Sequence, residues 1–204
     1  MPKRSKSSQR WLQRQKNDPY TRKAVEQGLV SRAHFKLEQL DKKFKLLSGK
    51  MQVLELGSAP GGWTHYLAER VQRVIACDLL DMEVPGDVEF LKIDITSDEF
   101  IATLALIMKD SRLDLVLSDM APNISGIRAA DQAGSMYLVE LATECAHNHL
   151  KTGGNLVVKM FQGEGVDEWV LERRREFKRV QLVKPDASRK DSREIYGVAI
   201  NARF

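Results

Sequence analysis

Cysteine is scarce in this chain: Cys77 and Cys145 are the only two among 204 residues, and they form no Cys-x-x-Cys pair. Neither a disulfide framework nor a zinc site is suggested, no metal is expected, and a reducing cytoplasm fits best. Long hydrophobic runs are missing as well. All stop well short of the ~18 apolar residues that a membrane-spanning helix needs, so no membrane partner is expected. The start, "MPKRSKSSQRW", is basic with no apolar stretch behind it, which argues against a secretory signal. Its Arg and Ser content also suits a mitochondrial transit peptide, but nothing like a processing site follows. The dinucleotide-binding spacing G-x-G-x-x-G is absent too. What is present, 43% hydrophobic and 29% charged residues, is ordinary for a folded domain and suits one core with an appendage.

Acids are few in the first fifty residues, where 14 Lys/Arg face only Asp18, Glu26, Glu38 and Asp41, a net of +10. The whole chain carries +4, so subtraction leaves −6 for residues 51–204. Residues 172–193 are basic again, with nine Lys/Arg and four acids. One charged run is ordinarily a solvated face. Two basic segments around an acidic middle suggest a polyanion, and nucleic acid is the expected one.

Residues 1–20 have few apolar positions and read as a mobile basic arm, leaving residues 21–204 as one domain. From Ser31 to Leu47, the residues Ala33, Leu37, Leu40, Phe44 and Leu47 recur at helical spacing, with Ser31 as N-cap. Strands are expected at 51–56, 73–78, 88–93, 113–118 and 154–161, with helices at 62–70, 97–109, 131–149 and 166–177. Two further strands, near 179–184 and 195–202, close the chain. The alternation predicts an α/β fold, a mostly parallel sheet with helices on both faces.

In such a sheet ligands bind beyond the carboxyl ends of the strands, at the switch point. Strand one runs into the glycine turn "GSAPGGW", from Gly57 through Gly61 to Trp63. Glycine there lets backbone approach a ligand closely. The next strands end in Asp78, Asp94 and Asp119, and "NLVVKMF" delivers Lys159 into an otherwise apolar strand. Buried lysines are rare unless paired, so Asp119 is the expected partner. A nucleoside ligand without phosphate, S-adenosylmethionine, suits this set. Asp78 would hold its ribose, Asp94 would accept from the adenine amino group, and Trp63 would pack beside the adenosine. Read singly, Lys36 is an ordinary helix lysine, Glu194 a partner for Arg193, and Trp63 a core aromatic.

The segments "SRAHFKL", "LGSAPGGW", "ACDLL", "SDMAPN", "LVVKMFQG" and "SRKDSREIY" together resemble the FtsJ/RrmJ family of ribose 2′-O-methyltransferases, over residues 19–204. The resemblance implies a Rossmann-like S-adenosylmethionine-dependent methyltransferase fold with a seven-stranded sheet, one strand antiparallel. It also implies methylation of a uridine ribose in 23S ribosomal RNA, on the assembled large ribosomal subunit, by a monomer that binds no DNA. The family's Lys-Asp-Lys-Glu tetrad falls on Lys36, Asp119, Lys159 and Glu194, with Lys159 as proton acceptor or as the cation that steadies the developing alkoxide. Its cofactor contacts fall on Gly61, Trp63, Asp78, Asp94 and Asp119, beside Gly57 of the turn. His34 departs from the pattern, which has tryptophan there. Other readings are ribose methylation of transfer RNA, a catalytically silent RNA-binding module, and a NAD-dependent oxidoreductase.

Overall fold

The computed structural model describes residues 18–109 and 111–204. Along the chain the elements are α1 (Pro19–Glu26), α2 (Ala33–Phe44), β1 (Gln52–Leu56), α3 (Gly62–Ala68), β2 (Arg73–Asp78) and β3 (Glu89–Lys92). They continue with α4 (Asp98–Met108), β4 (Leu113–Ser118), α5 (Arg128–His149), β5 (Leu150–Phe161), α6 (Val166–Glu176), β6 (Phe177–Val183) and β7 (Glu194–Ala202). The strands form one sheet in the order β3-β2-β1-β4-β5-β7-β6. Pairings from β3 across to β5 are parallel, and β7 runs antiparallel to both of its neighbours.

Side-chain alternation along the central strands divides the core between two faces. Leu54, Leu56, Val158 and Met160 pack with Phe100 and Leu104 of α4, Val139 and Ala142 of α5, and Trp169 of α6. Val53, Val157, Tyr196 and Val198 face Leu37 and Leu40 of α2 and Trp63 and Leu67 of α3. Strands buried on both sides read as continuous apolar runs, which is why their positions were legible. The chain leaves β1 toward α3 on one face and β4 toward α5 on the other. A crevice opens between their carboxyl ends.

Three differences from expectation have a clear local reason. Helix α5 starts three residues earlier than expected because Asp131 Oδ1 accepts from the backbone N–H and hydroxyl of Ser125, both at 2.8 Å. Strand β5 begins at Leu150, which already pairs with Leu113; a bulge then carries Gly153 and Gly154 past the ladder. Ser31 lies one residue outside α2, whose N-cap is Arg32, and its hydroxyl accepts instead from the N–H of Ala33. Helix α1 had no expectation at all.

The proposed arm lies outside the described residues as far as residue 17, but its expected end at residue 20 falls within the folded body. Asp18 is buried and caps α1, accepting from the N–H groups of Tyr20 and Thr21 at 3.0 Å each. Its other oxygen pairs with Arg32 and, at 3.3 Å, with Arg189, while Arg32 also donates to the carbonyl of Ala187. One carboxylate thus ties α1, the start of α2 and the β6–β7 connection together. Burial alone would raise its carboxyl, yet the Thr21 N–H and both guanidiniums outweigh that and hold it below the usual range. Asp18→Ala removes the cap and leaves Arg32 without its anion. We expect it to lower stability by about 1–3 kcal/mol at pH 7, read by urea unfolding. Because the folded carboxyl is the stronger acid, the difference should fade as pH falls below ~4.

Candidate active site

Strand register builds the centre of the site. Lys159 on β5 stands opposite Tyr196 on β7, and Phe161 opposite Glu194. Lys159 and Tyr196 share the face covered by α2, which lowers Lys36 onto them. Lys159 Nζ lies 3.1 Å from Asp119 Oδ1 and also donates to the Asp119 carbonyl. Lys36 Nζ lies 2.7 Å from Glu194 Oε1 and donates to the Tyr196 hydroxyl at 3.2 Å. That hydroxyl in turn donates to Asp119 Oδ1 at 2.6 Å. All four residues of the expected tetrad therefore meet. Lys36 is buried rather than solvated, and Glu194 pairs with Lys36, not with Arg193.

Tyr196 is the member that the sequence reading missed. It is fully buried and joins the Lys36–Glu194 pair to the Lys159–Asp119 pair. Its only sequence signal is its place two residues after Glu194, on the same side of a strand. Burial, then the charges of Asp119 and Glu194, push its phenol well above the ordinary range, so it remains a donor. For Asp119 burial acts upward, but the Lys159 and Lys36 charges and the Tyr196 hydrogen bond prevail and keep it below the usual carboxylate range.

Two cavities flank this network. The first, about 510 Å³, is lined by Gly57, Asp78, Asp94 and Asp119 with Leu79, Ile93, Met120 and Leu138 among the apolar residues. Asp78 accepts from the N–H groups of Ala59 at 2.9 Å and Leu80 at 2.8 Å, which fixes its carboxylate at the rim of the glycine turn. Asp94 accepts from the N–H and hydroxyl of Thr96, and these bonds lower its carboxyl. Gly57 has φ +77°, and a Cβ there would come within 2.7 Å of Met120 Cγ. The turn and the loop after β4 approach closely only because that atom is missing. Among the described residues no basic side chain lines this cavity. Carboxylates and apolar walls suit a nucleoside with hydroxyl, amino and cationic groups, and oppose a pyrophosphate.

Gly61 and Trp63 do not line it. Gly61 is the buried N-cap of α3, with φ +103°. Trp63 turns away from the cleft, contrary to the expected stacking on adenosine. The first turn of α3 aims its indole at α2, where Nε1 donates to the Ala33 carbonyl at 2.7 Å and the ring meets Tyr196 at 5.8 Å. Any ligand contact by these two residues is therefore through backbone. His34 fills its position as an aromatic ring, edge-on to Tyr66 at 4.9 Å. The second cavity, about 330 Å³, is lined by Arg32, Lys36, Arg189, Asp191, Ser192 and Glu194.

A seven-stranded sheet with β7 reversed, an acid-lined cleft at the β1/β4 switch point and a buried lysine–aspartate centre define a Rossmann-like methyltransferase. Residues 29–202 match the model of the family described as FtsJ-like methyltransferase, and the chain belongs to that family. The ribosomal RNA large subunit methyltransferase E of Stenotrophomonas maltophilia (strain K279a) is 46% identical over 206 residues, covering 100% of this chain and 98% of that one. The enzyme of the same name from Marinobacter nauticus is 48% identical over 199 residues, covering 96% of each. A crystal structure described as a ribosomal RNA methyltransferase of Plasmodium falciparum superposes with a TM-score of 0.76 at 28% identity, covering 84% of this chain and 97% of that one. The oxidoreductase reading falls with the family.

Beneath the glycine turn, Glu55 of β1 is buried and accepts from the Thr64 hydroxyl at 2.7 Å. Burial pushes its carboxyl from 4.5 up to about 8, with the Thr64 bond opposing and the charges of Asp119 and Asp78 adding to the rise. The folded state therefore keeps a proton that the unfolded chain sheds, and stability falls as pH rises between those two values. Glu55→Gln keeps the shape and removes the titration. From pH 5 to pH 8 the native protein should lose a few kcal/mol relative to this variant, at ~1.36 kcal/mol per pKa unit. Denaturant unfolding of both proteins across that range checks this: the expected divergence shows Glu55 protonated in the fold, and a constant difference would mean that it is already ionised there.

Proposed function

We propose that the protein transfers a methyl group from S-adenosylmethionine to the 2′-hydroxyl of a uridine in 23S ribosomal RNA, on the assembled large subunit. It would act in the cytoplasm and as a monomer. The observation that carries the reading is the placement of the tetrad between two unlike cavities. Asp119 borders the acid-lined one, and Lys36 and Glu194 border the one that also holds Arg32 and Arg189. The relatives' names, which specify large-subunit ribosomal RNA, support the choice of RNA.

Bound in the first cavity, S-adenosylmethionine supplies a methyl group already activated by its sulfonium. Asp78 would accept from the ribose hydroxyls and Asp94 from the adenine amino group. The protein's remaining task is to align the 2′-hydroxyl and remove its proton as the oxygen–methyl bond forms and the sulfur–methyl bond breaks. Alignment supplies ~7–11 kcal/mol and a positioned base ~10²–10⁴-fold. Lys159, once its ammonium has released a proton to solvent, takes the proton of the 2′-hydroxyl. Asp119, kept ionised, balances the ammonium that results, and Tyr196 fixes the carboxylate that fixes Lys159. Lys36 and Glu194 orient the ribose from the other side.

Lys159→Ala should lower single-turnover methylation at least ~10²-fold while leaving cofactor affinity nearly unchanged. Lys159→Arg, which keeps the charge but cannot accept a proton, should be nearly inactive. An alanine variant within threefold of native would remove Lys159 from the mechanism. Asp78→Ala should weaken cofactor binding by about 1–3 kcal/mol in calorimetry, the cost of unpaired buried donors. The substrate is tested by mapping 2′-O-methyl groups in RNA from cells lacking the gene. Loss of one methylated uridine in 23S ribosomal RNA is expected. A loss confined to transfer RNA would replace the substrate and leave the chemistry standing.

A further inference from the structure

The basic segment at 172–193 is divided by the fold. Its later part, with Arg189, lies beside the tetrad. Its earlier part lies at the opposite end of the sheet. Arg174 and Arg175 lie in the last turn of α6, Lys178 is the second residue of β6, and Arg203 follows β7; all four are exposed. They are drawn together by pairing of Phe177 with Ala202, by the Arg203 N–H on the Glu176 carbonyl at 2.8 Å, and by Arg203 Nη1 on the Arg175 carbonyl at 3.4 Å. The two glutamates in this turn, Glu172 and Glu176, are both taken by Arg173. Among the described residues, no ion pair involves any of the four exposed cations.

A basic last turn complements a helix dipole, and a lysine protects a sheet edge. Those roles explain single charges. They do not explain four unpaired cations gathered from three elements. Glu194 and Ala202 stand at the two ends of nine-residue β7, so at ~3.4 Å per residue the cluster is roughly 27 Å from the tetrad. Charges at that distance are screened from each other at a Debye length of ~8 Å. The cluster therefore lies too far from the tetrad to act on the chemistry. It is also out of reach of the phosphates that flank one target nucleotide.

Resting on the reading of this protein as an RNA methyltransferase, we propose that Arg174, Arg175, Lys178 and Arg203 form a second phosphate-binding surface. It grips the backbone of a neighbouring RNA helix of the same folded particle, while the target strand enters the cleft. Recognition then requires two pieces of RNA held at fixed separation. An assembled subunit provides that, and a short oligonucleotide does not.

The test compares the full-length native protein with an Arg174→Gln, Arg175→Gln, Lys178→Gln variant, using purified large ribosomal subunits as the probe. Binding is followed by co-sedimentation across a potassium chloride series, and methylation in parallel. We expect weaker binding, a salt slope reduced by about 2–3 log units at ~0.7–0.9 per lost phosphate contact, and KM raised about tenfold with kcat within twofold. A variant with Arg174→Lys, Arg175→Lys and Lys178→Arg should bind as native, and thermal unfolding should be unchanged in both. Equal affinity and equal salt slope for native and glutamine variants would overturn the proposal. So would an equal loss of binding to subunit proteins stripped of RNA, which would assign the cluster to a protein partner. Because binding is read without turnover, native protein that binds subunits but transfers no methyl group would sink the proposed function while the binding comparison still decides this inference.

Discussion

An ammonium group near the tip of a buried apolar strand requires an anion, and the Lys159–Asp119 pair is the contact on which the rest of this site is built. Removing two charges from water is costly unless geometry and further hydrogen bonds satisfy both. Asp119 meets that demand twice, through its carboxylate and through its own carbonyl. It can do so because its N–H is fixed on the Leu56 carbonyl at 3.0 Å, just past the last β1–β4 pair. The parallel ladder thus sets the anion, and the antiparallel one sets what stands opposite the cation. Had β7 joined β5 one residue out of register, Tyr196 would lie on the other face of the sheet and the hydroxyl bridge would be gone.

The same pair marks where two electrostatic environments meet. On one side are carboxylates at three strand ends, an arrangement that attracts a cationic ligand and repels phosphate. On the other are Arg32, Lys36 and Arg189, with Glu194 and Asp191 limiting the excess of positive charge. A methyl donor with a sulfonium and an RNA strand with a phosphate backbone need such unlike neighbourhoods within bonding distance of one another. A uniformly basic cleft would favour the RNA and disfavour the donor.

Much of this was legible in the sequence, and the parts that were not share a cause. The strands, the acids at their tips and Lys159 stood out because burial on both faces makes strands uniformly apolar, so that one charge is conspicuous. Lys36 and Glu194 did not stand out alone. Lys36 takes an ordinary place in a helical pattern and Glu194 follows Arg193, a ready partner, and only the crossing of α2 over β7 makes them partners of each other. Tyr196 and Trp63 show the same limit from opposite sides. An aromatic in an apolar run carries no mark of whether its polar atom serves a catalytic network or a core carbonyl. The tyrosine proved central, and the tryptophan turned from the cleft. Helix α1 escaped notice because the signal for it, Asp18 before Pro19, sits at the edge of a basic polar segment that otherwise reads as an arm.

That overlooked aspartate explains how residues from the two ends of the chain hold a common geometry. Lys36 and Glu194 come from α2 and β7, and their contact is one 2.7 Å ion pair. Arg32 lies four residues, about one helical turn, before Lys36. Arg189 lies on the connection that leads into Glu194. Asp18 binds both guanidiniums, and Ser188 on the same connection donates to Glu194 at 2.7 Å. The wall of the second cavity is therefore braced by a single buried carboxylate set behind it. A loss at Asp18 would act on the tetrad through Arg32 and Arg189, loosening Lys36 and Glu194 while leaving Lys159, Asp119 and the nucleoside cavity on the rigid sheet. The acid-lined half of the site is built into the strands, and the half lined by Arg32, Lys36, Arg189 and Glu194 is held by ion pairs between elements distant in sequence.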